Sequence, residues 1–214
     1  MKIMIDTANI QEINEFVKLG FIDGVTTNPK TMAEQNANHR DHILKICQLL
    51  NGPVGVGVIG DTYEEIVAEA QRIASINSQM VVNIPVTAIG LKAINILSKY
   101  QVKTNATLVF SEAQALLAAQ AGATYVSVFV GRLVDAKIDG IAVISNISKI
   151  FKKHGITSKI VATSIKTPGQ AWQVALAGAD YGSIKPNILA MMTNHPLTIA
   201  GVNEFKADYQ AIVK

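Results

Sequence analysis

The sequence predicts an α/β protein built as a closed (β/α)8 TIM barrel with an extra C-terminal helix. Three observations carry that expectation. Short apolar runs alternate with segments whose apolar residues recur at helical spacing. The runs are apolar nearly throughout, as strands buried on both faces of a parallel sheet are. Eight such pairs fit within 214 residues, and no Pro/Gly/Ser-rich linker or low-complexity tract divides them, so residues 1–214 read as one domain. A doubly wound open sheet shares this alternation and stands as the alternative, because counting strands does not prove closure.

The first run is Lys2–Asp6, followed by helical spacing at Ile10, Ile13, Phe16 and Val17. The second and third runs are Gly24–Asn28 and Val54–Ile59. After the third, Asp61-Thr62 followed by Glu65 matches a capping box, and Ile66, Val67, Ala70 and Ile73 continue at helical spacing. The fourth run, Met80–Pro85, leads to a helix capped at Thr87, and the fifth, Lys103–Leu108, to one capped at Ser111. The sixth is Tyr125–Phe129. The seventh is Lys159–Ser164, before a cap at Thr167 and its following Pro168. The eighth is Tyr181–Lys185, and a final helix covers about Leu197 to Val213.

Composition excludes several classes. Hydrophobic residues make up 49% and charged residues 16%, which suits a large core with many buried strands. The net charge of +3 is dispersed, without a basic cluster or aromatic interleaving, so no nucleic-acid footprint is present. No apolar run reaches the roughly 18 residues that would span a bilayer. Asp6 and Asn9 interrupt "MKIMIDTANI" where a signal peptide would stay apolar, which points to the cytoplasm. The lone Cys47 excludes an intramolecular disulfide and a cysteine-built metal site, and reads as a buried structural thiol. His39, His42, His154 and His195 fall in predicted helices or loops, where surface and capping roles predominate, so no metal site is expected.

"GVGVIG", Gly55 to Gly60, matches G-x-G-x-x-G to the letter. A dinucleotide site needs those glycines after a strand and an acidic residue at the end of the next one. Here Val54, Val56, Val58 and Ile59 place the glycines within a strand, and the next strand ends "NIP". The sequence favours a strand whose small residues make room inside a barrel.

In such a barrel alternate residues point inward and the C-terminal rim carries the active site. Polar residues share that parity: Asp6 with Met4, Thr26 with Asn28, Asn83 with Val81, Asn105 with Thr107, then Ser127, Ser164 with Lys166 beyond it, and Ser183 with Lys185. Singly they have plain explanations. Asn28 before Pro29 can shape a turn, Thr26 suits a strand, and Asp6 can cap the first helix. Jointly they predict one polar mouth.

"MIDTANI", "GVTTNPK", "KTNATLVFSEAQALLAAQAGATYVSVFVGRLVD" and "ATSIKTP" resemble the transaldolase family, and in particular its short-chain branch, which includes fructose-6-phosphate aldolase. The similarity runs in order along essentially the whole chain. It implies class I aldol chemistry on sugar phosphates without metal or cofactor. It also implies a homo-oligomer, a pentameric ring or a decamer of paired rings, whose C-terminal helix reaches a neighbouring subunit. By position, the resemblance makes Asp6 the carboxylate that assists proton transfer. Asn28, Asn105 and Ser127 become substrate contacts, with Thr26 beside them on its strand, and Thr107 positions a catalytic water. Arg132, Ser164 and Lys166 become the phosphate site.

Two positions depart from the family. Its strand-four lysine forms the imine that serves as electron sink, and Asn83 stands there in "VVNIP". A carboxamide is not a useful imine-forming nucleophile. Its neighbouring strand carries Glu or Gln to hold the proton-shuttling water, and Gly57 stands there. The family reaction is therefore expected to be severely impaired unless another amine substitutes. Lys185, in "GSIKP", is the candidate, either as a relocated amine or as a rim lysine that binds phosphate or faces solvent. A non-catalytic sugar-phosphate binder and a structural subunit of a mixed ring are the alternatives to an enzyme.

Overall fold

Eight parallel strands close into a barrel in sequence order in a computed structural model that describes residues 1–212. Chain order runs β1 (Lys2–Asp6), α1 (Ile10–Val17), β2 (Gly24–Thr26), α2 (Pro29–Ala33), α3 (His39–Leu49), β3 (Val54–Gly57) and α4 (Tyr63–Ala74). It continues through β4 (Met80–Pro85), α5 (Ala88–Lys99), β5 (Thr104–Val109), α6 (Glu112–Gln120), β6 (Tyr125–Phe129), α7 (Val130–Asp135) and α8 (Gly140–Lys153). The last elements are β7 (Lys159–Ile165), α9 (Pro168–Ala177), β8 (Tyr181–Ile184), α10 (Pro186–Thr193) and α11 (Pro196–Ile212). Pairing of β1 with β8 closes the ring and excludes the open sheet. The predicted final helix is present, and Val213 lies outside the described residues.

The core lies between the barrel wall and the helices. Outward strand residues Ile5, Val25, Val82, Ile84 and Ile184 pack with Ile13, Ile43, Ile94 and Leu97 from the helices, all fully buried. The predicted caps at Thr62, Thr87, Ser111 and Thr167 each accept from a backbone N–H of the first helical turn. Burying the apolar face of each helix supplies the stabilisation that isolated helices of this length lack.

Some details differ from the sequence reading and others agree with it. Asp6 does not cap α1; Asn9 does, accepting from Gln11 N and Glu12 N at 2.9 and 3.2 Å. The second strand stops at Thr26 because Asn28 caps α2 in a reciprocal box with Thr31. Ile184 ends β8, and Lys185 becomes the residue preceding α10. His42 is buried rather than at the surface, with Nε2 2.7 Å from the Ala8 carbonyl oxygen. Cys47 is buried and free. Gly55 and Gly57 lie within β3, so no glycine loop opens a helix there. Among the described residues no helix is long and apolar enough to cross a membrane. Among the same described residues no group of three or more His, Cys, Asp or Glu is placed to hold a metal.

Candidate active site

The C-terminal ends of the strands surround a cavity of about 510 Å³. Asp6, Thr26, Asn28, Gly57, Asn83, Asn105, Thr107, Ser127, Arg132, Ser164, Ser183 and Lys185 all line it. Parity accounts for most of this convergence, because inward residues from neighbouring strands stack in layers. The ladders set the layers: Asp6 is level with Thr26, and Gly57 with Asn83, which in turn is level with Asn105.

Asn83 is held by a directional chain of hydrogen bonds. Its Nδ2 donates to the Thr27 carbonyl oxygen at 3.3 Å. Its Oδ1 accepts from Asn105 Nδ2 at 2.9 Å, and Asn105 Oδ1 accepts from the Ser127 hydroxyl at 3.0 Å. A carbonyl can only accept, so Thr27 dictates which way each group in the chain faces. Gly55 makes room for the Asn83 amide. A Cβ at position 55 would stand 3.2 Å from Asn83 Nδ2, which is tight. The small residue of the glycine pattern thus serves packing rather than phosphate binding. At Gly57, by contrast, an added Cβ meets only the Pro29 ring, at 3.4 Å from Cδ and 3.7 Å from Cγ.

Asp6 and Lys185 meet at the seam between first and last strands. Ile5 pairs with Ile184, and Asp6 and Lys185 are the residues that follow that last pair. Burial pushes the Asp6 carboxyl above its ordinary value, against the opposing pull of the Lys185 charge and a Thr26 hydrogen bond. Beside Asp6 the hydroxyls of Thr26 and Ser183 lie 2.7 Å apart.

Two bulges shape the other side of the mouth. The β5–β6 register shifts between Ala106 and Val109, and the β7–β8 register between Ala162 and Ile165. Leu108 and Ser164 take left-handed backbone conformations there, with φ of 59° and 62°. Such strain gathers at functional sites, where bulges re-aim side chains. Gly131 presses against the second bulge, and any Cβ there would overlap the Ser164 carbonyl oxygen. Arg132, the next residue, and Ser164 both line the mouth. The Arg132 guanidinium lies 4.9 Å from the Phe129 ring centroid, and Phe129 leans on Phe110 at 5.8 Å.

Lys166 is the exception among the expected site residues. It does not line the cavity, and its ammonium is ion-paired to Asp135. β7 ends at Ile165, and Lys166 stands between it and the α9 cap at Thr167, where its ammonium reaches Asp135 at the end of α7. The inward parity of β7 runs through Thr163, and Ser164 reaches the cavity where the register shifts. Sequence reasoning missed Thr163 and Lys30, which also line the mouth. Thr163 would have followed from parity counted from Val161. Lys30, just after Pro29 at the start of α2, carries no such signal.

The fold is shared widely. An inosine 5'-monophosphate dehydrogenase from Legionella pneumophila superposes with a TM-score of 0.63 at 18% identity, covering 88% of this chain and 58% of that one. Closer in sequence is a protein named probable transaldolase from Brachyspira hyodysenteriae, 46% identical over 99% of both chains. Proteins of that name from Clostridium botulinum (strain Eklund 17B / Type B) and Methanococcus vannielii are 46% and 44% identical over 100% of each chain. The family described as Transaldolase/Fructose-6-phosphate aldolase matches residues 3–214. The chain belongs to the transaldolase/fructose-6-phosphate aldolase family.

Proposed function

We propose that the chain binds a phosphorylated ketose in this mouth and performs the family's dihydroxyacetone-unit aldol chemistry only at a severely reduced rate. Arg132 and Ser164 receive the phosphate, while Asp6, Asn28, Asn105, Thr107 and Ser127 face the sugar. Asn28 Oδ1 is engaged in its helix cap, so its amide N–H groups are what it offers a hydroxyl. The observation that carries this reading is Asn83. It occupies the cavity wall as a hydrogen-bonded amide, so no amine stands on β4 to form an imine. Relatives named probable transaldolase support the substrate class.

The two departures from the family's pattern define the test. Fructose 6-phosphate should raise the melting temperature of the wild-type protein with little cleavage to glyceraldehyde 3-phosphate. Asn83→Lys combined with Gly57→Gln should restore cleavage, because the rest of the mouth is in place and position 57 has room for a side chain. Rapid cleavage by the wild type would reject the reading. So would a folded, ligand-binding double variant that remains inactive.

Assembly belongs to the same proposal. No residue of α11 is buried, and Leu197, Phe205 and Tyr209 are 77%, 74% and 68% exposed. An apolar helix face of that kind is what a subunit contact covers. The chain is proposed to form a homo-oligomeric ring in which α11 lies on a neighbouring copy.

A further inference from the structure

The mouth holds a reactive set that does not depend on a bond between position 83 and carbon. Asp6 and Lys185 follow the last paired residues of the β1–β8 seam, Ile5 and Ile184; both line the cavity, and the Lys185 charge acts on the Asp6 carboxyl. Asn83 uses one Nδ2 hydrogen for the Thr27 carbonyl, and the other has no protein acceptor among the described residues. The chain of amides fixes that donor's orientation before any ligand arrives. Lysines become nucleophiles through burial or a neighbouring cation. Lys185 is exposed and the charge acting between it and Asp6 is that of a carboxylate, so neither condition for a nucleophilic lysine is met.

A carboxylate, a cation and a preoriented amide donor around a carbonyl compound make a proton-transfer site. We propose, on the basis of the sugar-phosphate reading above, that this chain enolises short α-hydroxyketone or α-hydroxyaldehyde phosphates through an enediolate instead of an imine. Asp6 takes the proton from the hydroxyl-bearing carbon next to the carbonyl. The C–H electron pair becomes the new C=C bond, and the carbonyl π pair moves onto oxygen, where Lys185 and Asn83 Nδ2–H stabilise it. The proton held by Asp6 then returns. Delivered to the same carbon, it regenerates the substrate. Delivered to the former carbonyl carbon, with a hydroxyl proton passing between the two oxygens, it gives the aldose–ketose isomer. One carbon is oxidised and its neighbour reduced, so no external oxidant is needed. The burial that raises the Asp6 carboxyl also makes it a better base.

The experiment follows solvent deuterium entering dihydroxyacetone phosphate by NMR. The protein is expressed in a host lacking its own triose-phosphate isomerase. The expected result is exchange well above the buffer rate. Asp6→Asn should reduce it about 100-fold or more. Lys185→Met should reduce it strongly, and Lys185→Arg should keep part of it. Borohydride added with dihydroxyacetone phosphate should leave no adduct on any lysine. Melting-temperature shifts with the same ligand establish binding separately. Binding without exchange overturns the inference but leaves the sugar-phosphate reading intact. Exchange that survives Asp6→Asn overturns it. So does exchange accompanied by a reduced adduct on Lys185, which would assign an amine mechanism instead. Failure to bind rejects both readings.

Discussion

Replacing Asn83 by Leu keeps the side chain's approximate size but removes both ends of its hydrogen bonding. Asn105 Nδ2, bonded at 2.9 Å, loses its acceptor, and the Thr27 carbonyl, bonded at 3.3 Å, loses a donor. Both residues are buried, at 7% and 3% exposure, so water does not readily replace the lost partners. A buried polar group stripped of its partner costs about 1–3 kcal/mol, and the longer bond belongs at the low end, so the sum is about 2–4 kcal/mol. Urea unfolding at a fixed protomer concentration measures this, with an unchanged m-value as the check on two-state behaviour. Asn105→Leu should be comparably damaging. The double variant should be about 1–2 kcal/mol less damaged than the sum of the two, because residues in one network couple. A loss below about 0.5 kcal/mol for Asn83→Leu, or additivity of the pair, would refute the network as described.

The remaining predictions use the same geometry. Gly131→Ala should destabilise by about 1–3 kcal/mol through overpacking against the Ser164 carbonyl, whereas Gly57→Ala should stay within about 0.5 kcal/mol; equal effects in thermal unfolding would contradict the contrast. The folded-state pKa of Asp6 is raised, so its ionisation opposes folding as pH rises above the unfolded value near 3.8. Asp6→Asn should therefore melt higher than wild type at neutral pH, and the gap should close as the pH falls below about 4; a lower melting point at neutral pH would contradict this. Changing Leu197, Phe205 and Tyr209 together to Glu should reduce the assembly seen by light scattering while leaving the barrel's circular dichroism intact, and an unchanged mass would reject the α11 contact.

The barrel was legible because alternation of apolar runs and helical spacing survives in every unit. The mouth was legible from Asp6 to Ser127 for the same reason: regular strands keep their inward parity. Legibility ended where the backbone is irregular. The bulge at Ser164 shifts the count, which brings Thr163 and Ser164 in together, and β7 stops at Ile165, which leaves Lys166 to Asp135. His42 was misread because a local pattern does not reveal a partner such as the Ala8 carbonyl, 34 residues away. The Asn83 network was invisible for a related reason. Its members are far apart in the chain, and only the pairing and register of β4, β5 and β6, with the segment after β2, bring them within hydrogen-bond distance. Gly55 and Gly57, alike in the sequence, differ only once Asn83 and Pro29 stand over them.

Calorimetric titration of the wild type and Arg132→Ala with dihydroxyacetone phosphate and with dihydroxyacetone tests most directly whether this mouth is built for phosphorylated sugars. A charge-assisted phosphate contact is worth about 1.5–3 kcal/mol, so the phosphate ester should bind the wild type at least about tenfold more tightly than the free ketone, and Arg132→Ala should erase most of that difference. Equal affinity for the two ligands, or a preference untouched by Arg132→Ala, would contradict the account.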